Sequence, residues 1–351
     1  MILLFPIALL LGVVCQSYPQ QTEYLYSRHI YPIFTQIISP ITGFFPFAIV
    51  EICLYVLIIL CFAFIIRGIV HIKKFRLIMS VNFIIKVTAT LALLYFLFTV
   101  MWGLNYSRVP LEQNLNYKSG DVTKTELAAM LTNEVNDIDA ICPKLKYDAL
   151  HHSYYAGSIF KMEAQVNDGY SLLAKQNGLF NKVSVHPKAV IASYLMSYTG
   201  IEGISIPFTY EPCVNTTGPQ FMWPTNLAHE AAHIKGFARE DEANFLSYLA
   251  NLQNNDIYFK YSAHMFAYIY LSDALAQTDS ELFTQINSKL DNRAINDFDY
   301  YSQYANRFAG PVQNVSQDIN NTYLQSQGQQ GVITYGYVVQ LLAAKYRTEF
   351  K

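Results

Sequence analysis

Two long apolar runs near the start of the chain limit its fold more than any other feature. Phe44–Ile66 carries Glu51 as its only charge, and Val81–Gly103 carries only Lys86. An α-helix needs about 20 residues to cross a bilayer, and each run is longer than that. Both charges lie near an end of their run, so we expect each to reach the nearer membrane surface rather than pair with the other. The runs predict two membrane-spanning helices.

A third apolar segment, Met1–Cys15, begins the chain. It lacks the basic start and the clear small-residue cleavage site of a signal peptide, so an uncleaved first span is favoured over a cleaved signal. The connector after the second run contains four basic residues and no acid, which predicts a cytoplasmic location: Arg67, Lys73, Lys74 and Arg76. Together these features predict transmembrane helices at about 1–16, 44–68 and 81–103, a membrane domain of residues 1–104, and an extracytoplasmic domain of residues 105–351.

Composition agrees with a membrane protein and argues against one class of partner. Charged residues make up 14% of the chain, against about 25% in ordinary soluble domains. The net charge is −2, and no basic patch is interleaved with aromatic residues, so nucleic-acid binding is not expected. Cys142 and Cys213 fall in the exported part, where a disulfide is permitted, but two cysteines do not establish their pairing.

The strongest functional signal is an HExxH pattern at residues 229–233. On a helix, His229 and His233 project from one face and can bind the same zinc ion. Glu230 follows the first histidine, where its carboxylate can reach a water molecule at the ion and act as general base. The neighbouring helix positions are apolar, and polar groups on a buried helix are costly unless something satisfies them. This context favours a metal site over a chance pattern.

The limits of this helix are also readable in the sequence. Thr225 is a suitable N-cap for a helix that begins at Asn226. Gly236 is typical of a helix end, where a positive φ is tolerated. A second, acidic helix is predicted to begin in the run that starts at Arg239.

This acidic run offers the third protein ligand that a catalytic zinc with two histidines commonly takes. Glu242-Ala243 resembles the glutamate-alanine step that opens the third-ligand helix of gluzincin-type peptidases, which favours Glu242. Glu240 is the alternative. Gly236 matches the glycine of the metzincin pattern HExxHxxGxxH, but Arg239 stands where that pattern requires a histidine, which argues against a metzincin.

The rest of the exported part predicts a mostly helical, zincin-like α+β domain. Glu126–Ile141 has apolar residues at three- and four-residue steps, and Val338–Tyr346 closes the chain as a further helix. Ile204–Tyr210 is rich in β-branched and aromatic residues, and Pro207 suits an edge strand. Such a strand beside the HExxH helix could hold a substrate backbone by strand addition, although a purely structural strand is an equal alternative.

Several blocks spread along nearly the whole chain resemble the bacterial membrane proteins grouped as domain of unknown function 3810. The blocks are Trp102–Tyr106, Ile206–Thr209 with Glu211 and Asn215, His229–His233, Gly236–Phe245 and Thr334–Gly336. The part from Phe208 to Phe245 is the most specific. The resemblance implies a membrane-anchored zinc metallopeptidase and brings no defined substrate.

We therefore expect a gluzincin-like zinc metallopeptidase in the bacterial cytoplasmic membrane, acting outside the cytoplasm on a peptide, protein or cell-wall substrate. The two histidines and Glu242, or alternatively Glu240, would bind Zn²⁺, and Glu230 would be the catalytic base. Asp241 or Asn244 would orient a ligand histidine. The alternative is a non-catalytic, membrane-anchored zinc protein that senses or binds a peptide or cell-wall fragment.

Overall fold

Helices make up most of the chain, as the sequence predicts. The computed structural model describes residues 1–70, 81–176, 178–179 and 183–350. The α-helices of these residues, α1 to α16 in chain order, are Leu4–Ser17, Pro19–Gln21, Tyr31–Gly43, Ile49–Val70, Val81–Met101, Leu111–Asn114, Lys124–Ile141, Ile159–Gln176, Ser193–Ser197, Trp223–Ile234, Glu240–Gln253, Ile257–Thr278, Ser280–Asn287, Asn292–Phe308, Pro311–Ser326 and Val338–Phe350. The short strands β1 to β5 are Lys146–Tyr147, Ser153–Tyr154, Lys188–Ala189, Gly203–Ile206 and Glu211–Val214.

Two of these helices, α4 and α5, are long and apolar enough to cross a bilayer. Their spanning windows are Ile49–Arg67 and Phe83–Met101, of which only 6% and 11% is buried within the protein. Exposed apolar surface of this extent is typical of a membrane or protein contact. Helix α1 has 14 residues, fewer than a bilayer requires, so three predicted spans become two long helices and one shorter apolar helix. The basic connector residues Lys73, Lys74 and Arg76 lie outside the described residues.

The segment after α1 packs on the part of the chain that follows α5. A π-helical stretch, Thr22–Ile30, leads into α3. Tyr31 of α3 is fully buried, and its hydroxyl donates to the backbone carbonyls of His233 and Ile234 at 3.3 and 3.2 Å. Glu23 forms a buried ion pair with Arg108 at 2.8 Å. Contacts therefore cross the predicted domain boundary at residue 104, and the HExxH helix rests partly on residues that precede the two long apolar helices.

A three-stranded sheet with the order β3-β5-β4 lies beside α10. Strand β3 pairs in parallel with β5, and β4 pairs antiparallel with β5, so β4 is at the edge of the sheet. The edge strand predicted within Ile204–Tyr210 is confirmed at β4, while the following residues form the turn to β5. The sheet therefore places an edge strand against the HExxH helix.

The amino end of α4 is fixed to this sheet by a buried carboxylate. Glu211, the first residue of β5, accepts hydrogen bonds from the backbone N–H groups of Ile49 and Val50, both at 2.9 Å. Lys188 of β3 pairs with the same carboxylate at 2.6 Å. A carboxylate at a helix amino terminus satisfies unpaired N–H groups and the helix dipole. The apolar helix and the sheet are thus joined by charge-assisted bonds.

Glu51, also in the first turn of α4, makes a second contact with backbone N–H groups. Its carboxylate accepts hydrogen bonds from the backbone N–H groups of Ile191 and Ala192, both at 2.8 Å, and its side chain is buried. The sequence does not reveal these two donors, which follow β3 in the chain and fix the Glu51 carboxylate beside the sheet.

The helical core of the chain after α5 surrounds α10. Helix α7 begins with a capping box between Thr123 and Glu126, which confirms the predicted helix there with an earlier start. Helix α10 packs against α11, α12 and the sheet. Cys142 and Cys213 are both buried and both free, so these two residues form no disulfide in this structure.

Candidate metal centre

Helix α10 presents His229 and His233 on one face, and their ring centroids are 4.7 Å apart. The helix begins at Trp223, with Pro224 in its first turn, so the predicted start at Asn226 is wrong. Proline is tolerated in a first turn because the N–H group that it lacks would have no helical partner. Thr225 is not a cap, and its hydroxyl contacts Ser262 at 2.6 Å.

Gly236 reverses the chain after the helix, as predicted. Its φ is +91°, a conformation that residues with a side chain rarely adopt. The next helix, α11, begins at Glu240, close to the predicted start at Arg239. This short connection brings the first turn of α11 to the histidine face of α10.

Glu240, in that first turn, faces both histidines. Its Oε2 atom is 3.2 Å from Nε2 of His229 and 3.3 Å from Nε2 of His233. Potential ligand atoms of the three residues all lie within 4.8 Å of one another. Two imidazole nitrogens and one carboxylate are the donor set of many catalytic zinc sites.

Glu242, the residue favoured from the sequence, is held elsewhere. Its Oε1 atom accepts from Nη1 of Arg239 and from the backbone N–H of Leu111, both at 2.8 Å. The Glu242 side chain therefore forms hydrogen bonds at the start of α11 and at the start of α6, and it does not face the two histidines. The geometry replaces Glu242 by Glu240, the alternative ligand, as the third member of the cluster.

The other ring nitrogen of each histidine has a protein acceptor. Nδ1 of His229 is 2.8 Å from Oδ1 of Asn244, and Nδ1 of His233 is 2.8 Å from the carbonyl oxygen of Phe237. Acceptors at these positions favour a proton on each Nδ1, which leaves the Nε2 lone pairs directed at Glu240. Asn244 is one of the two residues predicted to orient a ligand. Asp241, the other, has no hydrogen bond at its buried Oδ1 atom among the described residues.

The electrostatics of the cluster require a positive charge. Burial alone would lower the pKa of His233, but the Glu240 carboxylate outweighs it and raises that pKa to about 9. Burial would raise the pKa of Glu240, but the two histidines hold it well below its usual range. Both shifts indicate that a positive charge beside the Glu240 carboxylate is favourable, and a divalent cation would supply that charge.

Glu230 lies against the edge strand beside this cluster. Burial raises the pKa of its carboxyl group, although the neighbouring histidines oppose the shift. Oε2 of Glu230 is buried and has no hydrogen-bond partner in the described part of the chain, and buried Oε2 of Glu240 contacts only the two histidine rings there. Unpaired buried oxygens are costly, so the residues present fit a bound cation with a water molecule next to it.

Two cavities meet at His229 and Glu230. One, of about 480 Å³, is lined mainly by polar and aromatic side chains and contains Glu202. The other, of about 650 Å³, is mostly apolar and extends to Phe98 of α5. Gly203 of the edge strand borders both cavities. The candidate metal centre therefore lies in a continuous cleft with one polar arm and one apolar arm.

Several residues of this cleft are not apparent from the sequence. Tyr335 is nearly parallel to the His229 ring, with centroids 6.5 Å apart, and Trp102 packs edge-on against His233 at 5.6 Å. Glu202 accepts a hydrogen bond from Asn226 of α10 at 2.8 Å. Trp102 and Tyr335 fall in blocks that carry the resemblance described above, whereas Glu202 has no such signal. His264 does not line either cavity, and its Nδ1 atom is 2.6 Å from Oε2 of Glu134.

Comparison with known proteins gives one match. The family model described as protein of unknown function (DUF3810) matches residues 26–343. This range covers most of the chain, including α4, α5 and the HExxH helix, so the chain belongs to this family. No curated protein and no solved structure matches it.

Proposed function

We propose that this member of the DUF3810 family is a membrane-anchored zinc metallopeptidase that hydrolyses a peptide or amide bond outside the cytoplasm. The observation that carries the proposal is the convergence of His229, His233 and Glu240 within 4.8 Å, next to a buried Glu230. A chance pattern on an ordinary helix would not recruit a carboxylate from the next helix or acceptors for both Nδ1 atoms.

In the proposed mechanism, the two histidines and Glu240 hold Zn²⁺. Zinc bound there would polarise the scissile carbonyl group and lower the pKa of a water molecule toward 7. Glu230 accepts the proton of that water and returns it to the leaving amine. Asn244 and the carbonyl of Phe237 keep the two imidazole rings in position.

The edge strand supplies a place for the substrate backbone. Strand β4 forms one wall of the cleft, and Gly203 at its start lies against Glu230. A substrate that adds to this edge in an extended conformation would bring a backbone carbonyl to the metal centre. The substrate class that follows is a peptide, a protein segment or the peptide part of a cell-wall polymer.

The proposed topology puts the cleft on the outer side of the membrane. Helices α4 and α5 would cross the bilayer in opposite directions, with the basic connector inside. The apolar arm of the cleft reaches Phe98, near the carboxyl end of α5, so the cleft would open close to the outer membrane surface.

The metal assignment is tested by the zinc content of the purified full chain in detergent, prepared without chelators. We expect near-stoichiometric zinc in the wild type and in Glu242→Gln, and loss of zinc in Glu240→Gln. These two substitutions are isosteric and lie in the same helical turn, so each is the control for the other. Zinc retained in Glu240→Gln and lost in Glu242→Gln would restore the ligand expected from the sequence.

Catalysis is tested with Glu230→Gln, which retains the shape of the side chain and removes the base. We expect this variant to hold zinc and to lose hydrolysis of a mixed fluorogenic peptide library. Hydrolysis by Glu230→Gln at the wild-type rate would refute the mechanism. A wild-type chain that holds zinc but cleaves no peptide would favour the non-catalytic binding protein.

A further inference from the structure

The polar arm of the cleft has an excess of negative charge. Its described lining residues include Glu202 and Glu230 but no lysine or arginine. Glu230 is directed at the metal centre, where a cation would balance it. Burial raises the pKa of the Glu202 carboxyl group, and the neutral amide of Asn226, at 2.8 Å, and His229 oppose that shift. Among the described lining residues, no lysine or arginine balances this carboxylate.

Aromatic rings line the cavity together with Glu202. Phe266 and Tyr270 contact each other with ring centroids 4.9 Å apart, and Tyr301 lies on the same wall. Glu202 and Tyr301 line the same cavity, and the charge of Glu202 is the largest influence that raises the pKa of Tyr301. The faces of aromatic rings attract cations, so rings and carboxylate favour the same kind of ligand.

The position of Glu202 connects this environment to the candidate centre. Asn226, which donates a hydrogen bond to Glu202, precedes His229 by one helical turn. Gly203, the residue after Glu202, borders Glu230. One substrate would therefore be able to place its scissile bond at the metal centre and another of its groups at Glu202. The remaining polar lining residues, such as Asn320 and Ser316, are neutral and can bind amides or water.

We infer that Glu202, Tyr270 and Tyr301 form a subsite that binds a primary ammonium group of the substrate. This inference rests on the proposed function for its role in substrate selection. The ammonium could belong to a free α-amino group or to a lysine-like side chain, and both sources share the same chemistry at the carboxylate. A substrate with a carboxylate at this position would be rejected by like-charge repulsion.

The first experiment needs no metal. Binding of n-pentylammonium and of 1-pentanol to the full chain in detergent with a chelator is measured by ligand-observed NMR. We expect the wild type to bind the ammonium about tenfold more tightly than the alcohol, as charged hydrogen bonds allow. Glu202→Gln, which keeps an acceptor for Asn226, should lose this preference. Glu281→Gln, the same change at an exposed residue, should retain it.

Equal binding of the two probes to the wild type, or a preference that survives in Glu202→Gln, would overturn the inference. Unchanged melting temperatures of both variants show that each remains folded. A chain without zinc would contradict the proposed function, yet the pentylammonium result would still decide whether the subsite exists.

The second experiment distinguishes the two sources in the zinc-loaded chain. Leucine hydroxamate is compared with N-acetyl-leucine hydroxamate, and N-acetyl-lysine hydroxamate with N-acetyl-norleucine hydroxamate. If leucine hydroxamate binds about tenfold better than its acetylated form, and only when Glu202 is present, the subsite binds a free amino terminus. The same preference for the lysine compound over the norleucine compound identifies a basic side chain. Equal affinities within both pairs would show that the subsite does not select the substrate.

Discussion

Replacing Gly203 by alanine should disable catalysis while leaving the fold and the metal in place. A Cβ atom at this position would lie 2.4 Å from Oε1 and 2.7 Å from Cγ of Glu230. Ordinary contact begins at about 3.4 Å, so the carboxylate has to retreat by about 1 Å. A displacement of this size costs about 100-fold in rate, or about 2.7 kcal/mol in the barrier.

The cost to stability should be small, because the atoms in the way belong to the end of a side chain and not to the backbone. The assay is hydrolysis of the mixed fluorogenic peptide library by the zinc-loaded full chain, with zinc content and melting temperature measured in parallel. Gly310→Ala is the matched control, since a Cβ at Gly310 meets nothing within 4 Å. Wild-type hydrolysis by Gly203→Ala would refute the placement of Glu230 as the base.

Two further predictions concern groups that support the centre. Asn244→Leu removes the acceptor for Nδ1 of His229 and should weaken zinc affinity by about 10- to 100-fold, measured by competition with a chelator; unchanged affinity would contradict the orienting role. Arg108→Met leaves the buried carboxylate of Glu23 with a single partially exposed partner, Arg28, and should cost about 3 kcal/mol at pH 7. Burial would raise the pKa of Glu23, but Arg108 and Arg28 lower it. The Glu23–Arg108 pair therefore stabilises the folded protein above about pH 4.5. This contribution is lost as the pH falls toward the pKa of Glu23 in the folded protein. Thermal denaturation between pH 7 and pH 3 should show this loss in the wild type and a weaker one in Arg108→Met; parallel curves would contradict it.

The features that the sequence predicts correctly at the centre are local ones. The spacing of His229 and His233 defines a helix face, and Gly236 marks the end of that helix, because both depend on residues within two turns. Helix α11 begins near Arg239 for the same reason. The sequence does not show which of Glu240 and Glu242 faces the two histidines, because that depends on partners from outside this stretch, above all the N–H of Leu111.

The features that the sequence does not reveal depend on distant segments. Glu202 reaches the cleft through the sheet and Tyr335 through the segment before α16. Glu202 has no distinctive local pattern, and the block around Tyr335 does not show that its ring lies beside His229. Tyr31 contacts the end of α10 although it precedes the two long apolar helices. Hydropathy assigned this part of the chain to the membrane domain, because a window average cannot show that one tyrosine is buried under a helix 200 residues later.

The capping of α4 by Glu211 has a mechanical consequence. A helix in a bilayer changes its tilt when the thickness of the hydrocarbon layer changes. Here the first N–H groups of α4 are bonded to the first residue of β5, which pairs directly with the strand bordering Glu230. If α4 spans a bilayer as proposed, a change in its tilt would either break those bonds or turn the sheet with the helix, and bilayer thickness would then affect the edge of the cleft.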